Sequence, residues 1–250
     1  MRRRDFLAAA LALPAITRSG IALANEPVDV ELILAVDVSR SVDPQEQELQ
    51  FTGYEAAFRD RKLIEGIMGG PVGSIACMMF TWSDFNIQNV VVPWRRLDSH
   101  GSANAFADAI ANAPRRTWLY TSISGAMDFA ARQFGQGFEG TRKVVDISGD
   151  GVNNSGRPVE DAREEALAQG IVLNGLAVLD LTPLPPLLGS IQSPLDTYYQ
   201  EEVIGGPGAF LVVAEGFNAF EAAVRRKIIR EIAAAPPSGP PPGPLVERVA

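Results

Sequence analysis

The sequence predicts an α/β fold: an open, mostly parallel β-sheet with helices on both faces and one antiparallel hairpin strand. Three observations predict it. Short, β-rich apolar runs alternate along the chain with segments of helical periodicity. One pair of runs, residues 73–81 and 87–94, is separated by only a few polar residues and reads as a hairpin. Carboxylate- and hydroxyl-bearing segments follow other runs, where the carboxyl ends of strands in such a sheet present functional groups.

The elements follow in order. Residues 30–36, Val-Glu-Leu-Ile-Leu-Ala-Val, form an apolar run with the character of a buried parallel strand, and Asp37 sits at its carboxyl end. Asp43-Pro44-Gln45-Glu46 supplies a capping residue, a first-turn proline and a capping-box glutamate, so a helix starts there, with Phe51, Tyr54 and Phe58 as its apolar stripe. After the hairpin, residues 102–113 and 122–134 have helical spacing, and Ile123, Met127 and Ala130 form the core face of the second. A strand over 143–147, a helix over 158–169 and a strand over 171–178 come next. Residues 181–194 are Pro-rich without periodicity and read as a long excursion. A strand returns at 209–213. Phe217, Phe220, Val224, Ile228 and Ile232 then mark an amphipathic helix in which Glu221 is spaced to pair with Arg225.

The ends differ from the middle. Arg2, Arg3 and Arg4 precede an apolar run from Phe6 to Ile16, and Ala22-Leu23-Ala24 offers a small-residue cleavage site, so residues 1–24 read as an export signal. Arg3-Arg4-Asp5-Phe6-Leu7 resembles the twin-arginine motif, the general secretory route being the alternative. Cleavage near Ala24 places the mature chain in the periplasm or outside the cell. Residues 235–250, rich in Pro and Gly, read as an extended, disordered tail, leaving 25–234 as one domain. No stretch of about 18 uninterrupted apolar residues is present, so no membrane span is expected in the mature chain.

Over 250 residues, 46% hydrophobic and 21% charged positions describe an ordinary globular chain rather than a disordered one. Residues 1–24 hold four Arg and one Asp, and their removal takes the formal net charge from −8 to −11. That sign excludes nucleic acid as a partner and favours cations. Cys77 is the single cysteine, lies in an apolar run and reads as a core thiol.

Three segments at predicted junctions carry the chemistry: Asp37-Val38-Ser39-Arg40-Ser41, Tyr120-Thr121-Ser122-Ile123-Ser124-Gly125-Ala126-Met127, and Asp146-Ile147-Ser148-Gly149-Asp150-Gly151. Their carboxylates and hydroxyls suit a hard cation, Mg²⁺ first, with Ca²⁺ or Mn²⁺ as alternatives. One His and one Cys leave no paired spacing for zinc. These residues resemble the von Willebrand factor A domain, whose metal-ion-dependent adhesion site uses Asp-x-Ser-x-Ser, a distant Thr and a later Asp. The resemblance spans residues 28–234 and implies that Asp37, Ser39, Ser41, Thr121 and Asp150 are the metal ligands of a Rossmann-like sheet. Ser122 is the alternative to Thr121. Ser148-Gly149 departs from the more usual apolar-Thr before the last Asp. The resemblance further implies a non-enzymatic protein-interaction module, in which a Glu or Asp of a protein partner completes the coordination of the divalent cation. Within the family the chain is similar to exported bacterial proteins without an established function.

Other readings are weaker. Gly149-Asp150-Gly151-Val152-Asn153-Asn154 resembles a segment of Mg-dependent haloacid-dehalogenase-type phosphatases, but their first motif needs a second carboxylate where this chain has Ser39. His100, the only histidine, lies in a polar loop, and no Gly-x-Ser-x-Gly elbow accompanies it. Trp82, Trp94 and Phe85 read as core or rim, with a partner patch as the alternative. Asp84 is left outside the metal shell. Asp146 either orients the site or is structural. The glycines of residues 205–208 read as a tight turn before the strand at 209–213.

Overall fold

The computed structural model of the chain describes residues 25–179, 194–233 and 245–250. The expected export signal, all but the last residue of the Pro-rich excursion, and residues 235–244 of the expected tail lie outside the described residues. In chain order the elements are β1 (Glu26–Asp37), α1 (Pro44–Arg59), α2 (Arg61–Met68), β2 (Ile75–Trp82), β3 (Gln88–Leu97), α3 (His100–Ala111), α4 (Ile123–Ala131), β4 (Phe138–Gly149), α5 (Val159–Ala168), β5 (Ile171–Leu179), α6 (Leu195–Tyr198), β6 (Phe210–Glu215), α7 (Phe220–Ala233) and β7 (Leu245–Val249). A π-helical turn, Tyr199–Val203, continues α6, and a 3-10 turn, Phe217–Ala219, precedes α7.

The strands form one sheet in the order β3-β2-β1-β4-β5-β6-β7. Only β2 and β3 run antiparallel, as the hairpin spacing predicts; the other pairings are parallel. Alternation along β1 sorts its side chains into two cores. Val30, Leu32, Leu34 and Val36 pack under α1, α2, α3 and α7 with Phe51, Phe58, Phe106 and Phe220. Ile33 and Ala35 face α4, α5 and the π-turn with Ile123, Met127 and Tyr199. The helices start where the caps predict. Asp43 Oδ1 accepts from the backbone N–H groups of Gln45 and Glu46, and Glu46 accepts from that of Asp43, closing the capping box of α1.

Four differences from the sequence reading have local causes. Helix α2 is short, begins on its own cap, with Asp60 accepting from Lys62 and Leu63, and is packed through Leu63, Ile64 and Ile67. Strand β4 starts at Phe138 rather than 143, because its polar first residues pair with the start of β1. Arg225 reaches Asp60 at 3.4 Å rather than Glu221. The fourth corrects the tail: Leu245–Val249 adds to β6 as a parallel edge strand, so the domain extends past residue 234 and the last residues are ordered. Their alternating Leu-Val-Glu-Arg-Val pattern is too short to register against the proline-rich stretch before it.

Charge is buried on the α7 side. Lys227 is 0% exposed, with Asp146 and Glu231 each 1% exposed beside it. Its ammonium contacts Asp146 Oδ1 and lies 3.1 Å from Glu231 Oε1. Asn174 of β5 donates to both Glu231 oxygens at 2.9 Å and accepts from the Phe210 N–H. Burial, opposed by Lys227 and reinforced by Glu231, pushes the Asp146 carboxyl up to about 6.

Candidate metal centre

The carboxyl ends of β1 and β4, neighbours at the centre of the sheet, build the site. Asp37 is the last residue of β1 and is fully buried. It follows Ile33 and Ala35 in parity, which directs it to the α4 and α5 side. Its Oδ1 accepts the Ser39 backbone N–H at 2.7 Å. From there a chain of hydroxyls leads outward. Ser39 and Ser41 Oγ atoms are 3.1 Å apart, and Ser41 Oγ donates to Asp150 Oδ1 at 2.7 Å. Burial raises the Asp37 carboxyl well above the usual carboxylate range, and the nearby Asp150 charge raises it further; hydrogen bonds from Ser39 and the Asp150 backbone oppose them. Asp37 Oδ2 is buried without a hydrogen-bond partner. A buried acceptor left in that state costs about 1–3 kcal/mol.

Thr121 enters from the loop before α4. Its backbone N–H donates to Asn154 Oδ1, and its carbonyl accepts from the Asn154 N–H, both at 2.8 Å. Its Oγ1 and its methyl both lie 3.7 Å from where a Cβ on Gly151 would stand, so the side chain packs against the loop carrying Asp150. Ser122 is committed elsewhere: its Oγ caps α4 through the Gly125 N–H and donates to the Ser155 carbonyl at 2.8 Å. Ser122 Oγ therefore has partners away from Asp37 and Asp150.

The loop after β4 is fastened on several sides. Asn153 Oδ1 accepts from the Ser124 N–H, and the Asn153 N–H donates to the Tyr198 hydroxyl at 3.2 Å. Arg157 pairs with both Asp128 and Glu165 at 2.6 Å, tying the loop to α4 and α5. Asp84 receives the Ser155 hydroxyl and the Phe85 N–H, a role in loop fastening. Asn153 and Asn154 are the residues missed as supports; their only signal was adjacency to Asp150. A groove of about 380 Å³ lies against this loop, lined by Val152, Asn153, Pro158, Val159, Glu160, Tyr198 and Glu202.

Among the aromatic residues, Trp82 is buried and Trp94 packs against Phe134 and Phe138, whereas Phe85 is exposed. The exposed run Trp118-Leu119-Tyr120 leads directly into Thr121, and the Trp118 N–H donates to the Val38 carbonyl at 3.1 Å. Asp146 takes the structural alternative: it lies beside Leu34 in register, on the α7 face, opposite the face that holds Asp37. His100 is exposed at the start of α3. In residues 205–208, Gly206 and Gly208 have φ of 97° and 76°, the left-handed turn geometry that favours glycine.

The donor set is oxygen only. Among the described residues no group of three or more His, Cys, Asp or Glu side chains is placed to hold a metal by those ligands alone. Two carboxylates, one with an unpartnered buried oxygen, and three hydroxyls fit a hard divalent cation that would neutralise the Asp37–Asp150 repulsion.

Known proteins share this architecture. Proximal thread matrix protein 1 from the mussel byssus aligns with a TM-score of 0.61 at 13% identity, over 84% of this chain and 49% of the mussel chain. Another structure of that protein is described as having a zinc occupied MIDAS motif. A von Willebrand factor type A protein from Catenulispora acidiphila aligns at 0.53 and 14% identity, over 83% of this chain and 42% of that one. BatB from Bacteroides thetaiotaomicron aligns at 0.51 and 19%, over 82% and 98%. The fold is that of a von Willebrand factor A domain, and this chain spans about half the length of the mussel protein. Among curated proteins no match is found. A family profile described as "Protein of unknown function (DUF1194)" matches residues 27–236.

Proposed function

The chain belongs to the DUF1194 family, and we propose that this member is an exported protein-interaction module. In this reading Asp37, Ser39, Ser41, Thr121 and Asp150 hold a divalent cation, Mg²⁺ in the first instance with Ca²⁺ or Mn²⁺ as alternatives. The observation that carries it is the buried Asp37 carboxylate, which keeps an unpartnered oxygen beside a second carboxylate and a chain of hydroxyls. The zinc in the mussel protein's MIDAS motif supports a divalent ion in a site on this fold.

The bound cation supplies a positive centre that takes one further oxygen ligand. The residues of this chain tune that centre. Three neutral hydroxyls leave more net positive charge at the site than carboxylates would, which favours a Glu or Asp from a protein partner. Exposed Phe85, Trp118, Leu119 and Tyr120 border the site and offer apolar contact to the same partner. Residues 1–24 have the composition of an export signal, and no described helix is long and apolar enough to cross a membrane.

The test is a thermal melt of residues 25–250 in EDTA and then in millimolar Mg²⁺, Ca²⁺ or Mn²⁺, beside Ser39→Ala/Ser41→Ala. A cation that binds only the native state raises the midpoint by mass action. Stabilisation of the wild type and not of the double variant supports the site. No response to any cation sinks it, and Mg²⁺-dependent phosphomonoester turnover lost in Asp37→Ala transfers the chain to the phosphatase class.

A further inference from the structure

Among the described residues, Asp37 Oδ2 is one of two fully buried oxygens at this site without a hydrogen-bond partner; the other is the Tyr199 hydroxyl. They converge on one glycine. A Cβ placed on Gly149 would stand 2.6 Å from the Tyr199 hydroxyl oxygen and 3.0 Å from Asp37 Oδ2. The Tyr199 ring also lies against a second strand glycine: a Cβ on Gly175 would stand 3.0 Å from its Cδ1, and 2.8 Å and 2.9 Å from Leu211 and Ile204. Gly149 ends β4, and Gly175 lies in β5 opposite Ile147. Glycine inside a strand sacrifices packing and costs conformational entropy, and these two leave a slot that the ring occupies. The ring arrives from the π-helical turn Tyr199–Val203, a local geometry often found at functional sites.

We propose that Tyr199 is a positioning residue of the cation site: its phenol donates to Asp37 Oδ2 in the cation-loaded protein, and Gly149 lacks a side chain so that the hydroxyl can reach it. This rests on the function proposed above. A carboxylate that holds a cation is an anion, and Asp37 is one that is fully buried. A cationic donor would hold it ionised but would repel the metal. A phenol stabilises the anion through a hydrogen bond and brings no charge. With Oδ1 held by the Ser39 N–H and Oδ2 by Tyr199, the carboxylate plane is set.

The experiment titrates Mn²⁺ into residues 25–250 by calorimetry, using wild type, Tyr199→Phe and Gly149→Ser/Tyr199→Phe, each also melted in EDTA. The expected result is a Tyr199→Phe protein with the wild-type EDTA melt and Mn²⁺ affinity weaker by roughly tenfold or more. The double variant, which returns a hydroxyl from position 149, recovers part of that loss. A near-ultraviolet tyrosine difference signal on adding Mg²⁺ accompanies binding in the wild type and is smaller in Tyr199→Phe. Equal affinity in wild type and Tyr199→Phe overturns the proposal and leaves the cation site standing. A lowered EDTA melt without rescue in the double variant assigns Tyr199 to packing and also overturns it. No binding to the wild type removes both readings.

Discussion

Replacing Lys227 with Met should strand two buried carboxylates on the α7 side of the sheet. The ammonium lies between Asp146 and Glu231, all three buried, and Asn174 satisfies only Glu231. Met keeps much of the volume but strands two carboxylates in the core. Removing one partner of a buried ion pair costs about 3–5 kcal/mol. At roughly 2–4 °C per kcal/mol for a domain of this size, the melting point falls by about 6–20 °C. The loss should depend on pH with a definite sign. Asp146 already sits at about 6 with Lys227 present, above the 3.8 of an ordinary aspartate. Without the ammonium its folded-state value rises further. A group whose folded value exceeds its unfolded one favours folding below the unfolded value and loses that contribution as pH rises through the folded one. Urea titrations of both proteins in EDTA at pH 5 and pH 8 therefore should show the larger deficit at pH 8. A variant within about 1 kcal/mol of wild type at pH 8 would refute the reasoning, as would a deficit that grows on acidification.

Two other measurements follow. Asp37 is raised by burial and by Asp150, so protons compete with the cation there; the stabilisation by saturating Mg²⁺ should shrink on acidification from neutral pH, and an increase would contradict the assignment. Cys77 is buried, and burial, with Asp146 and Glu231 adding, pushes its thiol well upward, so a thiol-reactive disulfide should label it only as fast as the chain opens. Prompt labelling of native protein would place Cys77 outside the core.

Each part of the proposed site could be picked out of the sequence because it lies in a short contiguous segment after an element boundary. Asp37 could be located since an apolar run ends at it, and Asp43 announced the helix that follows. Tyr199 could not be located. It reaches Asp37 through a slot formed by two glycines on two strands, a relation that has no spacing in the chain. Lys227 and Glu231 did leave a signal: four residues apart, they fall on the stripe of Phe220, Val224 and Ile228 that faces the core. Charge on an apolar stripe is a buried network written in sequence, and alternation along 143–147 would have put Asp146 opposite Val145 and Ile147. Strand β7 was hidden for another reason. Its edge position asks for little hydrophobicity, so five residues after a proline-rich stretch carried too weak a pattern.

That last strand changes the character of the sheet's edge. Without Leu245–Val249, β6 would present a bare row of backbone donors and acceptors alongside Leu211, Val212 and Val213, a surface able to recruit the strand of a neighbouring molecule. Residues 245–249 put in its place a short edge that carries Glu247 and Arg248, charges that disfavour the addition of another strand. A preparation clipped within residues 234–244 is expected to retain its heat resistance better than its solubility.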